Sequence, residues 1–233
     1  MLTLGIETSQ RQGTVALVRD GKYLDERILS TGGRRHAQSL VAEIDVMLRE
    51  HDATPADCDV VAVSIGPGSF TGLRVGVVCA KTFAYATGCH LTSVDTLCAI
   101  ASNSPADVSQ VHVVSDAQRG ELYLGRYARA ADEKWSATAE IEVVDGEQWC
   151  GLLSDTDVVT GPGLAPWESR LAGVCHVLPE ALRIPQASAV ARIGEQRSRS
   201  GQHDDPWTLE PFYIRKSAAE EKWDARAADE ATQ

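Results

Sequence analysis

The chain has 233 residues, a hydrophobic fraction of 43%, and 33 acidic side chains against 22 basic ones, for a formal net charge of −11. This composition excludes a disordered, collagen-like or coiled-coil chain, and a chain of this length buries enough surface to fold without disulfides or metals. The acidic balance argues against a protein that grips nucleic acid by its own surface, because phosphate contacts need clustered Lys and Arg.

In chain order, residues 2–7 form an apolar run and 8–13 a polar turn. A second apolar run at 14–18 leads into Asp20-Gly21, a strong hairpin signal, and an alternating run at 23–29. Three strands joined by short turns make an antiparallel meander. Thr31-Gly32-Gly33 breaks the chain, and the apolar positions Ala37, Leu40, Val41, Ile44, Met47 and Leu48 then mark one face of a helix. Residues 60–65 are β-branched and apolar on both faces, the pattern of an interior parallel strand. A glycine-rich loop, 66–72, precedes a helical stretch at 73–87 that stops at Gly88. A strand at 90–94 and a short helix at 96–101 follow. A meander extended by parallel strands through helical crossovers predicts a mixed five-stranded sheet.

Asn103-Ser104-Pro105 reads as a lobe boundary. Beyond it, strands are predicted at 111–115, 121–127, 139–144 and 158–160. A helical turn is predicted at 148–153, a turn at 161–163, and a helix at 188–200. The organisation is therefore a first lobe at 1–104, a second at 105–205, and a C-terminal tail at 206–233 that packs back on the first lobe.

The six cysteines include no C-x-x-C pair. The chain reads straight from Met1 into a strand, with no secretory signal, so free buried thiols in the cytoplasm are expected. No apolar stretch reaches the ~18 residues of a membrane span.

The loop at 66–72 holds Gly66, Gly68 and Gly72 with two hydroxyls at a helix start. Such a loop either offers backbone N–H groups to an anion or only permits close packing; the residues leave both open. It is neither a Walker A motif nor the dinucleotide fingerprint. With Glu7, Thr8 and Ser9 of the first turn, Gly66 and Gly68 are the candidate nucleotide-binding residues. The helix at 73–87 is apolar nearly all round, so it must be covered on two sides, one by a sheet and the other by a second layer or a partner. The partner is favoured, through Leu73, Val77, Ala80 and Ala84, flanked by Arg74 and Lys81 and joined by Leu40 and Ile44 of the preceding helix. His36 has Leu40, not a second histidine, one turn on, so no helix metal pair forms and no metal is expected.

The stretch Val63-Ser64-Ile65-Gly66-Pro67-Gly68-Ser69-Phe70-Thr71-Gly72-Leu73-Arg74-Val75-Gly76-Val77, with Ala80-Lys81 and Tyr85-Ala86, resembles the signature of the bacterial TsaB (YeaZ) family. Gly5-Ile6-Glu7-Thr8-Ser9 resembles that family's opening strand and turn, and Arg35-His36-Ala37-Gln38-Ser39-Leu40 its first helix. Asp116, Arg119, Glu121 and Tyr123 fall in a stretch similar to its second-lobe hairpin motif, and Arg215 in its closing motif, all of unassigned role. Glu7 stands where many members have Asp, and Gln118 where a basic residue is common.

The resemblance implies the actin-like, sugar-kinase and heat-shock ATPase superfold, with two ribonuclease-H-like lobes. It implies a non-catalytic scaffold that pairs with the catalytic paralogue TsaD in threonylcarbamoyl transfer to tRNA adenosine. The other expected partners are a TsaE-type P-loop ATPase and, for the chain alone, a second copy as homodimer. tRNA is expected to be met only through the complex. No cofactor is expected on this chain by itself, with ATP or ADP confined to the assembly. The alternative is an active nucleotide-hydrolysing enzyme or glycoprotease-like metallopeptidase, using the 7–14 turn, the 66–72 loop and a metal at His36.

Overall fold

The computed structural model describes residues 1–29 and 36–214; the break at 31–33 and Arg215 lie outside them. Strand β1 (Leu2–Glu7) is buried along its whole length, because it lies at the centre of a five-stranded sheet. The sheet is built from β2 (Thr14–Arg19), β3 (Lys22–Ile28), β4 (Val60–Gly66) and β5 (His90–Asp95) in the order β3-β2-β1-β4-β5. The meander is antiparallel, while β1, β4 and β5 run parallel, as the sequence pattern predicts. Asp20 and Gly21 take φ of 52° and 75°, the geometry of the expected tight turn.

Helices α1 (His36–Glu50) and α2 (Phe70–Thr87) cover one face of this sheet. Alternation along β4 sends Val61 and Val63 to that side and Ala62 to the other, where α6 (Ala187–Arg199) packs. The second sheet has the order β11-β10-β6-β7-β8. It comprises β6 (Gln110–Gln118), β7 (Glu121–Arg129), β8 (Trp135–Ala137), β10 (Val158–Thr160) and β11 (His176–Val177); β9 (Glu142–Asp145) shares the outer edge of β7 with β8. Short helices α4 (Gly146–Cys150) and α5 (Glu168–Leu171) follow β9 and precede β11.

Several boundaries differ from the sequence reading, each for a local reason. Helix α2 starts at Phe70 rather than 73, because the Ser69 hydroxyl accepts from Gly72 N at 3.3 Å and caps the helix earlier. Asp145 caps α4 through Gln148 N at 2.9 Å, pulling that turn forward from 148 to 146. Strands β8 and β11 and helix α5 are too short to carry a periodicity.

The lobe limits at 104 and 205 also need correction. Helix α6 belongs in sequence to the second lobe but lies on the first sheet, whose Ala62 and Thr92 leave no space for a side chain at Gly194. Conversely, α3 (Thr96–Ala101) sends Leu97 and Ile100 against Val111, Val113 and Tyr127 of the second sheet. The lobes thus exchange helices across their junction. Residues 206–214 lie on the first lobe, where Phe212 N donates to Ile65 O at 2.8 Å.

All six cysteines are unpaired. Burial pushes the thiols of Cys58 and Cys98 up to about 12 and that of Cys79 to about 11, which keeps them protonated and unreactive. Among the described residues, no helix is long and apolar enough to cross a membrane.

Candidate functional site

Two surfaces collect the residues singled out in the sequence. The first is a groove between α1 and α2, about 1070 Å³ in volume. Leu40 and Ile44 form part of its floor, and Val41, Val75, Val78 and Phe83 are among the groups that line it. Val41 and Val78 are 63% and 61% exposed, a large apolar area for a helix pair facing water.

Leu73, Val77, Ala80 and Ala84 are not on that surface. All four are at most 3% exposed: Val77, Ala80 and Ala84 pack in the core on the first sheet and Leu73 lies beside Gly66 at the cleft, so the partner-facing stripe expected from them is corrected to buried. The reason is how closely α2 approaches β1 and β4. A side-chain carbon at Gly72 would overlap the Thr8 carbonyl oxygen, so the helix lies nearly backbone to backbone on the turn that follows the first strand. Gly72, Gly76, Ala80 and Ala84 recur every four residues, and that small-residue stripe is the signal that marks the buried face. Arg74 and Lys81 sit to the side, where they hold the C-terminal segment. Arg74 Nε donates to the Tyr213 hydroxyl at 2.9 Å and Lys81 Nζ to Leu209 O at 2.9 Å. The second cover expected for α2 is thus supplied in part by residues more than a hundred positions away.

The second surface is a cleft of about 490 Å³ between the lobes. Ser9, Gly68, Asp116, Arg119 and Tyr123 line it, together with Tyr213 of the closing motif and with Arg11, which the sequence did not single out. The hairpin between β6 and β7 turns through Gln118, Arg119 and Gly120, all at positive φ, and Asp116 Oδ1 accepts from Gln118 N at 2.8 Å. The motif residues of the second lobe thus meet the glycine loop of the first. Glu121 does not line the cleft.

The other candidate nucleotide residues lie elsewhere. Glu7 and Thr8 are fully buried, and Gly66 is turned toward Thr96 and Phe212. Ser69 N donates to Ser9 O at 2.6 Å and the Thr8 hydroxyl to Gly72 O at 2.8 Å, so the first turn and the glycine loop are fastened to each other. A side-chain carbon on Gly68 would come within 2.5 Å of Ser9 O, which makes close packing the reason for that glycine. Glu7 Oε1 accepts from Ser9 N at 2.5 Å, while Oε2 has no partner among the described residues. Burial pushes the Glu7 carboxyl up, against the pull of Ser9 and Ser64. Three of the five residues that would have to hold a nucleotide therefore cannot reach one, and the nucleotide of the superfold does not fit this turn as it stands. Among the described residues, no three His, Cys, Asp or Glu side chains are grouped to hold a metal ion, and position 40 is a core leucine.

Two lobes built on mixed sheets, with a cleft between them and interlocked helices behind, define the class as the actin-like fold. The profile of the family described as "TsaD: tRNA N6-adenosine threonylcarbamoyltransferase" matches residues 26–154, more than half of the chain. An uncharacterized protein of Mycobacterium tuberculosis is 32% identical over 93% of this chain and 92% of its own length. The tRNA threonylcarbamoyladenosine biosynthesis protein TsaB of Bacillus subtilis is 26% identical over 96% of this chain and 98% of its own. The solved YeaZ of Pseudomonas aeruginosa shares the fold, with a TM-score of 0.78 at 22% identity, over 91% of this chain and 99% of that one. The chain belongs to the TsaB (YeaZ) family.

Proposed function

We propose that this chain is a non-catalytic scaffold subunit for tRNA threonylcarbamoyladenosine synthesis. It pairs with a TsaD-type paralogue, which transfers the threonylcarbamoyl group to adenosine. The observation that carries this reading is the α1–α2 groove. Its exposed valines would be covered by a partner helix pair, as in a helix-on-helix interface. Alone, the same groove closes on a second copy as a homodimer. In this reading the chain does no chemistry, since Leu40 removes the second of two helix histidines that would hold a metal. A TsaE-type ATPase supplies nucleotide turnover, and ATP or ADP belongs to the assembly. The charge of −11 favours tRNA contacts made by the partners, in the cytoplasm where six unpaired thiols persist.

The test is to mix the chain with a TsaD-type paralogue and measure mass by light scattering. The wild type is expected at heterodimer mass. Val78→Glu is expected to remain a folded monomer by circular dichroism and to leave tRNA threonylcarbamoylation at background. Undiminished pairing by Val78→Glu would remove the groove from the proposal.

A further inference from the structure

A third cavity, of about 710 Å³, opens where α3 and α6 meet β7 and β8, and it shares no lining residue with the groove or the cleft. Its wall carries four cations, Arg129, Lys134, Arg192 and Arg197, against two acids, Asp95 and Glu133. That is a local cationic excess in a strongly acidic chain.

The four cations are not equivalent. Arg129 is engaged: its guanidinium lies 4.8 Å from the Trp135 ring, pairs with Glu133 at 3.0 Å and donates to the carbonyls of Ser104 and Pro105. Lys134 pairs with Asp132 at 2.6 Å. Arg197 donates to Ser93 O, and burial pushes the nearby Asp95 carboxyl up against the pull of its hydrogen bonds and of Arg197. Arg192 is exposed and makes no hydrogen bond or ion pair among the described residues. The acids offer little opposition. Glu133 is spent on Arg129, and the Asp95 carboxylate caps Leu97 N at 2.8 Å and accepts from the Tyr127 hydroxyl.

The wall also holds polar groups without partners. The Ser104 hydroxyl and Nε of Arg129, both closed off from the surface, have none among the described residues. Buried donors of this kind cost stability unless something accepts from them.

We propose that this cavity binds a phosphate-bearing small molecule of mononucleotide size, with Arg192 as its principal anion contact. A phosphate accepts from an uncommitted guanidinium in a paired geometry that a lysine cannot match. The volume lies in the range of small-molecule sites, and a concave pocket suits a compact ligand better than a nucleic-acid backbone.

The experiment is isothermal titration of the full chain with ADP, with inorganic phosphate as competitor and a short single-stranded RNA as a second probe. One ADP is expected per chain, displaced by phosphate. Arg192→Glu should weaken binding by about ten-fold or more, the scale of a lost charge-assisted hydrogen bond, and Arg192→Lys should retain part of it. Arg11→Glu, in the front cleft, should leave binding unchanged. Both sites are exposed, so the variants should melt with the wild type. No ADP binding at millimolar concentration would overturn the proposal. So would binding insensitive to Arg192→Glu, binding lost with Arg11→Glu, or RNA binding without ADP binding. Self-association, measured on the same samples, reads the groove separately, so loss of one activity does not imply loss of the other.

Discussion

The two faces of α2 are built from similar apolar letters and do opposite work. The inner face is a ladder of Gly72, Gly76, Ala80 and Ala84, with Leu73 and Val77 beside it, all buried. The outer face carries Val75, Val78, Thr82 and Phe83 along an open groove. Small residues mark the inner side because the helix nearly touches Thr8, just past the end of β1, where a larger side chain has no room. Larger apolar residues mark the outer side, where Val78 is 61% exposed along the groove. Size, more than hydrophobicity, separates the buried face from the exposed face on this helix.

Four substitutions sharpen or break this division, taken from the largest expected loss of stability to none. Ala84→Arg would force a guanidinium between α2 and the sheet. An unpaired buried charge costs on the order of 3–5 kcal/mol, a large part of an ordinary domain's stability, so loss of fold by circular dichroism is expected. A folded, monomeric Ala84→Arg would put that face outside and break the comparison. Gly68→Val comes next. Its new carbons collide with Ser9, and an overpacked contact costs about 1–3 kcal/mol, read as a lower denaturant midpoint. An unchanged midpoint would mean that the loop and the first turn separate freely.

Glu7 tests the same contact from the other side. Its carboxyl is raised by burial, so the unfolded chain gives up this proton first. Wild-type stability therefore falls as pH rises above the ordinary value of 4.5, until the native group has also ionised, and is level beyond. Glu7→Gln keeps the acceptor for Ser9 N and removes the charge. It should match the wild type in acid and exceed it by about 1 kcal/mol at neutral pH, the scale of one unsatisfied buried acceptor. Equal pH–stability curves would show that Glu7 carries no such penalty. Last, Val41→Asp on the outer wall should change the melting temperature of the dilute chain by almost nothing, as surface substitutions do. It should still shift gel filtration from dimer to monomer. A drop in melting temperature without dissociation would place that wall inside the chain.

The meander and the parallel extension of the first lobe were legible because period-2 alternation, the Asp20-Gly21 turn and the two-faced apolar run at 60–65 are local signals. The motif residues Asp116, Arg119 and Tyr123 were legible through resemblance, and the cleft they line explains their company with Ser9 and Gly68. The inner face of α2 was misread because a helix apolar on every side has no periodicity to orient it. The four-residue spacing of its small residues held the answer. The wall of the third cavity was not legible at all, since Ser104, Arg129, Trp135 and Arg192 come from distant parts of the chain and form no motif.

By itself, the sequence determined which segments become strands and helices in the first lobe, their order in the sheet, and the family. Those follow from short-range pattern and turn chemistry, which each segment carries within itself. Only the tertiary structure decided that α3 and α6 trade places between lobes, that residues 206–214 return to hold α2, and that Glu7 and Thr8 are sealed while Ser9 borders a cleft. These depend on how close one backbone comes to another, and so on the twist and stacking of whole sheets. Contacts between residues a hundred positions apart exist only once the chain has closed on itself.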